Sequence, residues 1–151
     1  KTIGIISEAG LPAVADPGAQ LVKVAQEKRI QVVPLVGPSS ILLALMASGM
    51  NGQNFAFHGY LPIDKTERKK KLMHLESESA NTGVAQIFME TPYRNNQMVD
   101  DLTKILRAET KICVACHITL EDEDIRTLAI KEWKNEKYDF HKRPAIFVLQ
   151  A

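Results

Sequence analysis

Strand-length apolar segments alternate with helix signals in the first fifty residues, and this alternation limits the possible folds more than any other feature. The first apolar run covers residues 3–6, and a second strand-length segment covers residues 30–36. A strand that is apolar at successive positions suits a sheet covered on both faces, as parallel strands are. Between the two segments, Asp16-Pro17-Gly18 has the residues of a helix start. The segment therefore predicts strand, helix, strand.

A second helix is predicted from Ser39 to Ser48, where nearly every residue is apolar, and such a helix is expected to be buried. The repeated order of strand and helix favours an α/β domain with parallel strands. Residues 49–54 are rich in the residue types that form turns, and they separate this apolar helix from the more polar sequence that follows. We therefore expect two small α/β domains, one over residues 1–52 and a second over residues 53–151.

The second half of the chain is also predicted to alternate. Strands are expected at residues 55–58, 84–89, 112–118 and 145–149, with a weaker one at 126–130. A charged helix is expected from Thr66 to Glu76, followed by a polar loop, and Trp133 is expected in a helical turn that packs on the sheet. A strongly amphipathic helix carries the apolar face formed by Met98, Val99, Leu102, Ile105 and Leu106.

Composition excludes several classes of protein. With 151 residues, 45% hydrophobic and 25% charged, the chain is neither collagen-like, coiled-coil nor wholly disordered. No apolar run approaches the roughly 20 residues that span a bilayer, and a net charge of +1 gives no overall field that attracts nucleic acid. Two cysteines are too few for a disulfide scaffold, which favours a cytoplasmic setting.

Metal chemistry is not expected from this sequence. Cys113 and Cys116 form a C-x-x-C pattern, but they lie within a predicted strand. Side chains three apart on a strand point to opposite faces of the sheet, so the two thiols are expected to be structural. The four histidines show no ligand spacing.

Two loops of the first half are candidates for ligand binding. They are Ser7–Gly18 and Gly37–Ser40, each of which follows a predicted strand. In open α/β sheets, ligands bind beyond the carboxyl ends of strands, and free N–H groups at a helix start bind anions. Their ordinary alternatives are a capped strand-to-helix connection and a serine cap. Two such loops on adjacent strands favour one shared pocket.

Two segments of the second half are also candidates. The first is Glu90-Thr91-Pro92-Tyr93-Arg94, in which a carboxylate, a phenol and a guanidinium could orient a polar substrate. Its alternative is a Glu–Arg pair at the start of the next helix. The second is the basic segment from Lys65 to Lys71, which is either a solvated helix face or a contact for RNA phosphates.

The order of these segments resembles the tetrapyrrole (corrin/porphyrin) methylase family. The resemblance rests on Ser7–Gly18, Val32–Ser40, Phe57–Pro62 and Glu90–Arg94, and it covers essentially the whole chain. Within the family, the chain is most similar to the ribosomal RNA small subunit methyltransferase I branch. That branch methylates a cytidine ribose 2′-oxygen in 16S ribosomal RNA.

The resemblance implies a cytoplasmic homodimer of two-domain α/β subunits that binds S-adenosyl-L-methionine in the cleft between the domains. It also implies that family members have an N-terminal strand and a Gly-rich loop ahead of this chain's first residue, so the chain is expected to be a fragment. The implied cofactor contacts are Ala9, Gly10, Leu11, Val14, Ser39, Ser40, Glu90, Pro144 and Ala145. Glu90 is also the candidate catalytic base or orienting group. From their side-chain chemistry, the candidate substrate contacts are Tyr93, Arg94, Arg68, Lys69, Lys70 and Lys71.

The chain departs from the family pattern at three places. Glu8 stands where the family usually has Asp, while residues 117–121 and 142–144 differ from the stretches expected of the RNA-methylating branch. The resemblance implies that residues 1–52 are the C-terminal part of the cofactor-binding domain and that residues 53–151 form the substrate-side domain. The last two departures lie in this second domain. Two alternatives therefore stay open: a methyltransferase acting on a porphyrinoid or another acceptor, and a non-catalytic binding module that retains the fold.

Overall fold

The computed structural model describes residues 2–8 and 10–151. The chain divides into two compact units, a first unit of Lys1–Ser40 and a second unit of Ile41–Ala151. The division of function between residues 1–52 and 53–151 stays a prediction.

The described part of the first unit contains one regular element, the helix α1 (Ala19–Glu27). The predicted strands at 3–6 and 30–36 are wrong for this structure, because neither segment pairs in a ladder. Their apolar side chains are exposed, with Ile6 at 93% and Val36 at 107% of full exposure. A strand is buried on both faces only when neighbouring strands and covering helices surround it, and α1 itself has no buried residue.

The second unit is built on a five-stranded mixed sheet with the strand order β1-β2-β5-β3-β4. The strands β1 and β2 are parallel, whereas β5 is antiparallel to β2 and β3, and β4 is antiparallel to β3. All five strands were predicted from the sequence, and the α/β fold class is confirmed. Their bounds are Phe55–Tyr60 for β1, Ala85–Met89 for β2, Lys111–Cys116 for β3, Asp124–Ala129 for β4 and Ala145–Gln150 for β5.

Helices connect these strands and cover the sheet. The helix α3 begins where the side chain of Asp64 accepts a hydrogen bond from the Glu67 amide, and it ends at Gly83, whose φ of 70° is left-handed. It therefore continues six residues beyond the predicted end at Glu76, through the expected polar loop. The helical bounds are Ser40–Ser48 for α2, Lys65–Thr82 for α3, Asn95–Ile105 for α4 and Ile130–Trp133 for α5, with a 3₁₀ turn at Pro92–Arg94.

One face of the sheet packs against α3, α4 and α5. The predicted apolar face of α4 is confirmed, because Met98, Val99 and Leu102 are buried in this layer. Phe88 and Phe147 stack within it, with their ring centroids 5.4 Å apart. Trp133 lies in the short helix α5, as predicted, and its indole donates a hydrogen bond to the Ile112 carbonyl.

The other face of the sheet packs against α2 through Ile41, Ala44 and Leu45. The predicted burial of α2 is confirmed for the face that contacts the sheet but not for the opposite face, where Leu42 and Met46 are exposed. The two cysteines lie on opposite faces, as predicted: Cys113 belongs to this layer and Cys116 to the other. Within the described chain, none of the helices is both long and apolar enough to cross a membrane.

Candidate functional site

The strand order brings distant segments to one edge of the sheet, which we call the carboxyl edge. The carboxyl ends of β1, β2 and β3 lie there, and so do the amino ends of β4 and β5. The pairing shows this directly: Tyr60 is opposite Met89, and Cys116 is opposite both Ala145 and Asp124. Of the predicted site residues, the carboxyl edge therefore receives Glu90, Tyr93, Arg94, Pro144 and Ala145.

Glu90 is a buried carboxylate that is already bound by its neighbours. Its Oε1 atom accepts hydrogen bonds from the Thr91 amide at 2.6 Å and from the Arg94 guanidinium at 3.0 and 2.6 Å. Charge-assisted bonds of this kind fix the geometry of both partners. The arrangement is the Glu–Arg pair that the sequence left open, and it holds the turn between β2 and α4.

Tyr93 and Arg94 differ in accessibility. Tyr93 is 69% exposed, and its ring meets the ring of His141 edge to face at a centroid distance of 6.0 Å. Arg94 is half-buried because its guanidinium turns inward to Glu90. Tyr93 can therefore contact a bound molecule, whereas Arg94 is mainly engaged within the protein.

The loop before β5 is fastened to the start of α4. Asn95 donates from Nδ2 to the carbonyl oxygens of Phe140 at 3.3 Å and Arg143 at 2.6 Å, and the Lys142 amide donates to the Pro92 carbonyl at 2.9 Å. These bonds fix the approach to Pro144. Within the described residues, the buried Oδ1 atom of Asn95 has no hydrogen-bond partner.

A second ionic cluster at the carboxyl edge was missed by the sequence analysis. His117 Nδ1 lies 2.7 Å from Asp122 Oδ2, and Arg143 donates to the Asp122 carbonyl at 2.5 Å. The hydrogen bond with His117 is the main cause that holds the pKa of Asp122 below its usual range. His117 and Lys142 have left-handed backbones, with φ of 50° and 60°. Nothing local in the sequence signals a cluster whose members lie 26 residues apart.

The basic segment of α3 is only partly available to a substrate. The Arg68 side chain is 6% exposed, and it donates twice to Asp101 and once each to the carbonyls of Pro62 and Ile63. Four of its five N–H donors are thus engaged with three acceptor oxygens, and this burial argues against the predicted contact of Arg68 with a substrate phosphate. The remaining lysines of the prediction are solvent-accessible: Lys69 and Lys70 are exposed and Lys71 is half-buried.

The first unit carries the other predicted cofactor contacts. A shallow cavity of about 340 Å³ is lined by residues 5–8 and 16–18. The loop between these segments turns sharply, since Gly10 has φ of 76° and the Ala13 amide donates to the Pro17 carbonyl. Around the cavity loop, Leu11 is half-buried and Val14 is exposed.

The other predicted contacts of the first unit are less informative. Ser39 is buried, Ser40 is the exposed first residue of α2, and Ala9 lies outside the described residues. Across the described parts of the chain, no group of three or more His, Cys, Asp or Glu side chains is arranged to hold a metal ion.

Comparison with known proteins gives the family. The sequence profile described as Tetrapyrrole (Corrin/Porphyrin) Methylases matches residues 1–133. Three curated relatives are named ribosomal RNA small subunit methyltransferase I. The Vibrio cholerae protein is 34% identical over 87% of this chain and 44% of its own length. The Bacillus subtilis protein is 37% identical over 90% of this chain and 46% of its own length. The Haemophilus influenzae protein is 34% identical over 100% of this chain and 53% of its own length.

Solved structures agree on the fold. The methyltransferase CobJ aligns with a TM-score of 0.59 at 14% identity, over 93% of this chain and 61% of its own. The uroporphyrin-III C-methyltransferase of Thermus thermophilus, solved with S-adenosylhomocysteine, aligns with a TM-score of 0.50 at 15% identity, over 93% and 62%. The chain spans about half the length of the curated relatives it matches. Because the profile match covers most of its residues, the chain belongs to the tetrapyrrole (corrin/porphyrin) methylase family.

Proposed function

We propose that this chain is part of an S-adenosyl-L-methionine-dependent methyltransferase that acts on small-subunit ribosomal RNA, with a cytidine ribose 2′-hydroxyl as the acceptor. The observation that carries the proposal is the 34–37% identity, along most of the chain, to relatives that share one name. A cytoplasmic homodimer is part of the same proposal. Apolar side chains of the first unit, such as Ile6 and Val36, are exposed, and this supports a dimer in which a second copy of the chain covers them.

The loop of the first unit is our proposed binding segment for the cofactor. Gly10 supports this assignment, because its backbone is left-handed and, chain neighbours aside, no atom of the described residues lies within 4 Å of the position that a Cβ would take. A ligand can therefore approach this backbone closely. The proposed contacts in the first unit are Gly10, Leu11 and Val14, with Ser39 and Ser40 at the next helix start. Ala9 keeps this role only as an expectation.

Methyl transfer from S-adenosylmethionine needs no covalent intermediate with the protein. S-adenosylmethionine supplies an electrophilic methyl group when it is bound. Catalysis then depends on holding the acceptor oxygen in line with that group and on excluding water. We propose that Glu90 serves this end as a positioning residue. Its Oε1 atom already accepts three hydrogen bonds from Thr91 and Arg94, so it fixes the turn that carries Tyr93. The hydrogen bond from the Lys142 amide to the Pro92 carbonyl then holds the segment before Pro144 against this turn.

Two measurements on the full-length protein test the proposal. Calorimetric titration with S-adenosylmethionine should show binding, and tritium from the labelled methyl group should enter small ribosomal subunits that lack the modification. Gly10→Val should abolish cofactor binding, because a β-branched residue does not adopt φ of 76° without strain. Gly52→Ala is the control, since the described part of the chain, apart from the two neighbouring residues, also places no atom within 4 Å of the Cβ position of Gly52, whose φ is not left-handed.

The outcomes separate the parts of the proposal. A folded full-length protein that does not bind S-adenosylmethionine sinks the cofactor assignment. Binding without transfer to the ribosomal subunit removes the RNA acceptor and leaves the cofactor assignment intact. A sedimentation experiment that finds only monomer contradicts the proposed homodimer.

A further inference from the structure

We propose that Tyr60 and Tyr93 form a stacking surface at the carboxyl edge that binds unpaired nucleotides of an RNA substrate. The inference rests on the proposed function and deepens it, because it identifies the substrate as single-stranded at the point of contact. It also assigns a recognition role to Tyr60, which the sequence analysis did not identify.

The two tyrosines lie at the ends of neighbouring parallel strands. Tyr60 is the last residue of β1, opposite Met89 at the end of β2, and Tyr93 follows in the 3₁₀ turn after β2. Tyr60 is 61% exposed and Tyr93 is 69% exposed. Neither phenol forms a hydrogen bond with another described residue, and both rings are exposed at the carboxyl edge.

A local irregularity of β1 presents Tyr60. The pairing of β1 with β2 shifts register between Phe57 and Tyr60, and the intervening Gly59 has a left-handed φ of 67°. Bulges of this kind re-aim the side chain that follows them, and they occur often beside functional sites. The sheet therefore departs from regular pairing at the position that sets the direction of Tyr60.

The third tyrosine shows what a structural role looks like in this protein. Tyr138 is half-buried, its hydroxyl donates to Asp100 Oδ1 at 2.6 Å, and its ring packs against Trp133 and Phe140. Tyr60 has none of these interactions. An exposed aromatic ring without a hydrogen-bond partner is instead suited to stacking on an unpaired base, because every base presents a π-face.

The charge around the tyrosines favours RNA as the occupant. Lys65 and Lys69 begin the helix that follows Tyr60, and Lys142 lies on the loop that is hydrogen-bonded to the turn of Tyr93. Among the described residues, none of these three lysines forms a salt bridge, whereas the guanidinium groups of Arg68 and Arg94 are each paired with a carboxylate. Free cations beside exposed rings are the two components of single-strand recognition.

The test is the binding of RNA to the full-length protein, followed by fluorescence anisotropy. The probes are a labelled, unstructured 20-nucleotide RNA and a duplex of the same composition. Tyr60→Ala should weaken binding of the single strand roughly 5- to 150-fold, which is the range expected for the loss of one stacked base. Tyr60→Phe keeps the ring and should change it less than about twofold, by the same reasoning.

Matched variants separate stacking from charge and from general damage. Phe55→Ala removes an exposed ring from the opposite end of the same strand, where Phe55 is 41% exposed, and it should leave RNA affinity unchanged. Tyr60→Leu keeps an apolar side chain without a π-face, so it replaces Tyr60→Ala if that variant fails to fold. Changing Lys69 and Lys142 together to Glu should reduce the slope of log K against the logarithm of the salt concentration. The expected reduction is about 1.4, or about 0.7 for each lost phosphate contact.

Several results would overturn the proposed stacking surface. One is an affinity for the single strand that stays within twofold of wild type in both Tyr60→Ala and Tyr60→Leu. Another is a loss of affinity for the duplex probe that equals the loss for the single strand. A loss of dimer without a loss of RNA affinity would assign Tyr60 to a protein interface and overturn the inference as well. If S-adenosylmethionine still binds the wild-type protein in each case, the proposed function survives. Failure of the cofactor titration itself would instead sink that function.

Discussion

Arg68→Met should destabilise the second unit far more than any change to the neighbouring lysines. Arg68 is 6% exposed on its side chain, and Asp101, which accepts two of its hydrogen bonds, is 15% exposed. Breaking a buried ion pair costs about 3–5 kcal/mol, because the remaining charge loses its partner. Asp101 keeps a hydrogen bond from Gln97 and some contact with solvent. We therefore expect the lower end, about 3 kcal/mol.

Urea denaturation monitored by tryptophan fluorescence measures this loss directly. Trp133 is the single tryptophan of the chain, and it is buried in the core of the second unit. With an m value of about 2 kcal/mol/M, a loss of about 3 kcal/mol lowers the midpoint by about 1.5 M. Lys70→Ala is the control from the same helix. The Lys70–Glu67 pair is exposed, at 68% and 59%, and such pairs contribute at most about 1 kcal/mol.

A second variant distinguishes the ion pair from simple loss of packing. Arg68→Met combined with Asp101→Leu replaces both charges by apolar groups, and such replacements are often neutral. The double variant should therefore recover most of the lost stability. If Arg68→Met unfolds at the midpoint of Lys70→Ala, the buried-pair argument is refuted and Arg68 returns to the set of accessible cations.

Three further predictions follow from the same packing. Phe88→Ala should lower the free energy of unfolding by about 3–5 kcal/mol, because it removes a ring from the core and leaves a cavity; a cost below 1 kcal/mol in urea would contradict the stacked core. Burial raises the pKa of the Cys113 and Cys116 thiols, so Ellman's reagent should react with them only after unfolding, and rapid labelling of the native protein would refute this. The hydrogen bond with His117 lowers the pKa of Asp122, so its stabilisation is present above the ordinary carboxyl value of 3.8 and disappears as the pH falls through the lower folded value; Asp122→Asn should cost stability at pH 7 but not at the acid end of that range, and an equal cost at both would contradict the linkage.

The periodicity of apolar residues was sufficient to predict which face of a single helix or strand is buried. The spacing of Met98, Val99 and Leu102 identified the buried face of α4, and alternation along β3 placed Cys113 and Cys116 on opposite faces. These patterns encode which side of an element meets the core. The predicted helices and strands of the second unit were therefore largely recovered.

The strands predicted in the first unit failed for a different reason. The apolar run at residues 3–6 describes a strand that needs partners on both sides, and a sequence pattern carries no information on whether partners are present. In the described chain, α1 is the one regular element of this unit, so the run stays unpaired.

The burial of Arg68 has a signal in the sequence that its prediction as a phosphate contact did not use. A run of cations predicts a solvated or phosphate-binding surface, and five basic residues fall between positions 65 and 71. However, Arg68 lies four residues before Leu72 and seven before Leu75, which is the spacing of one helix face. The same face continues to Ser79, which is fully buried. Helical phase, applied to the charged residues as well as the apolar ones, separates Arg68 from the lysines.

The strand order explains why the candidate site could be located only in part. Because β5 lies between β2 and β3 and is antiparallel to both, Ala145 lies between the segment of Glu90 and the segment of His117. Sequence alternation predicts that a strand exists, but not where it is inserted in the sheet. At this edge Glu90 is paired with Arg94, and Asp122 with His117 and Arg143.

These pairings separate the groups of the carboxyl edge into two sets with different roles. The paired carboxylates fix the loops, because Glu90 Oε1 and Asp122 Oδ2 are already bound by groups of the protein. Under the proposed function, the exposed tyrosines and the lysines without carboxylate partners are the groups available to contact a substrate. Variants of Glu90 and Asp122 should accordingly alter stability and substrate binding together, whereas variants of Tyr60 should alter RNA affinity while the fold stays intact.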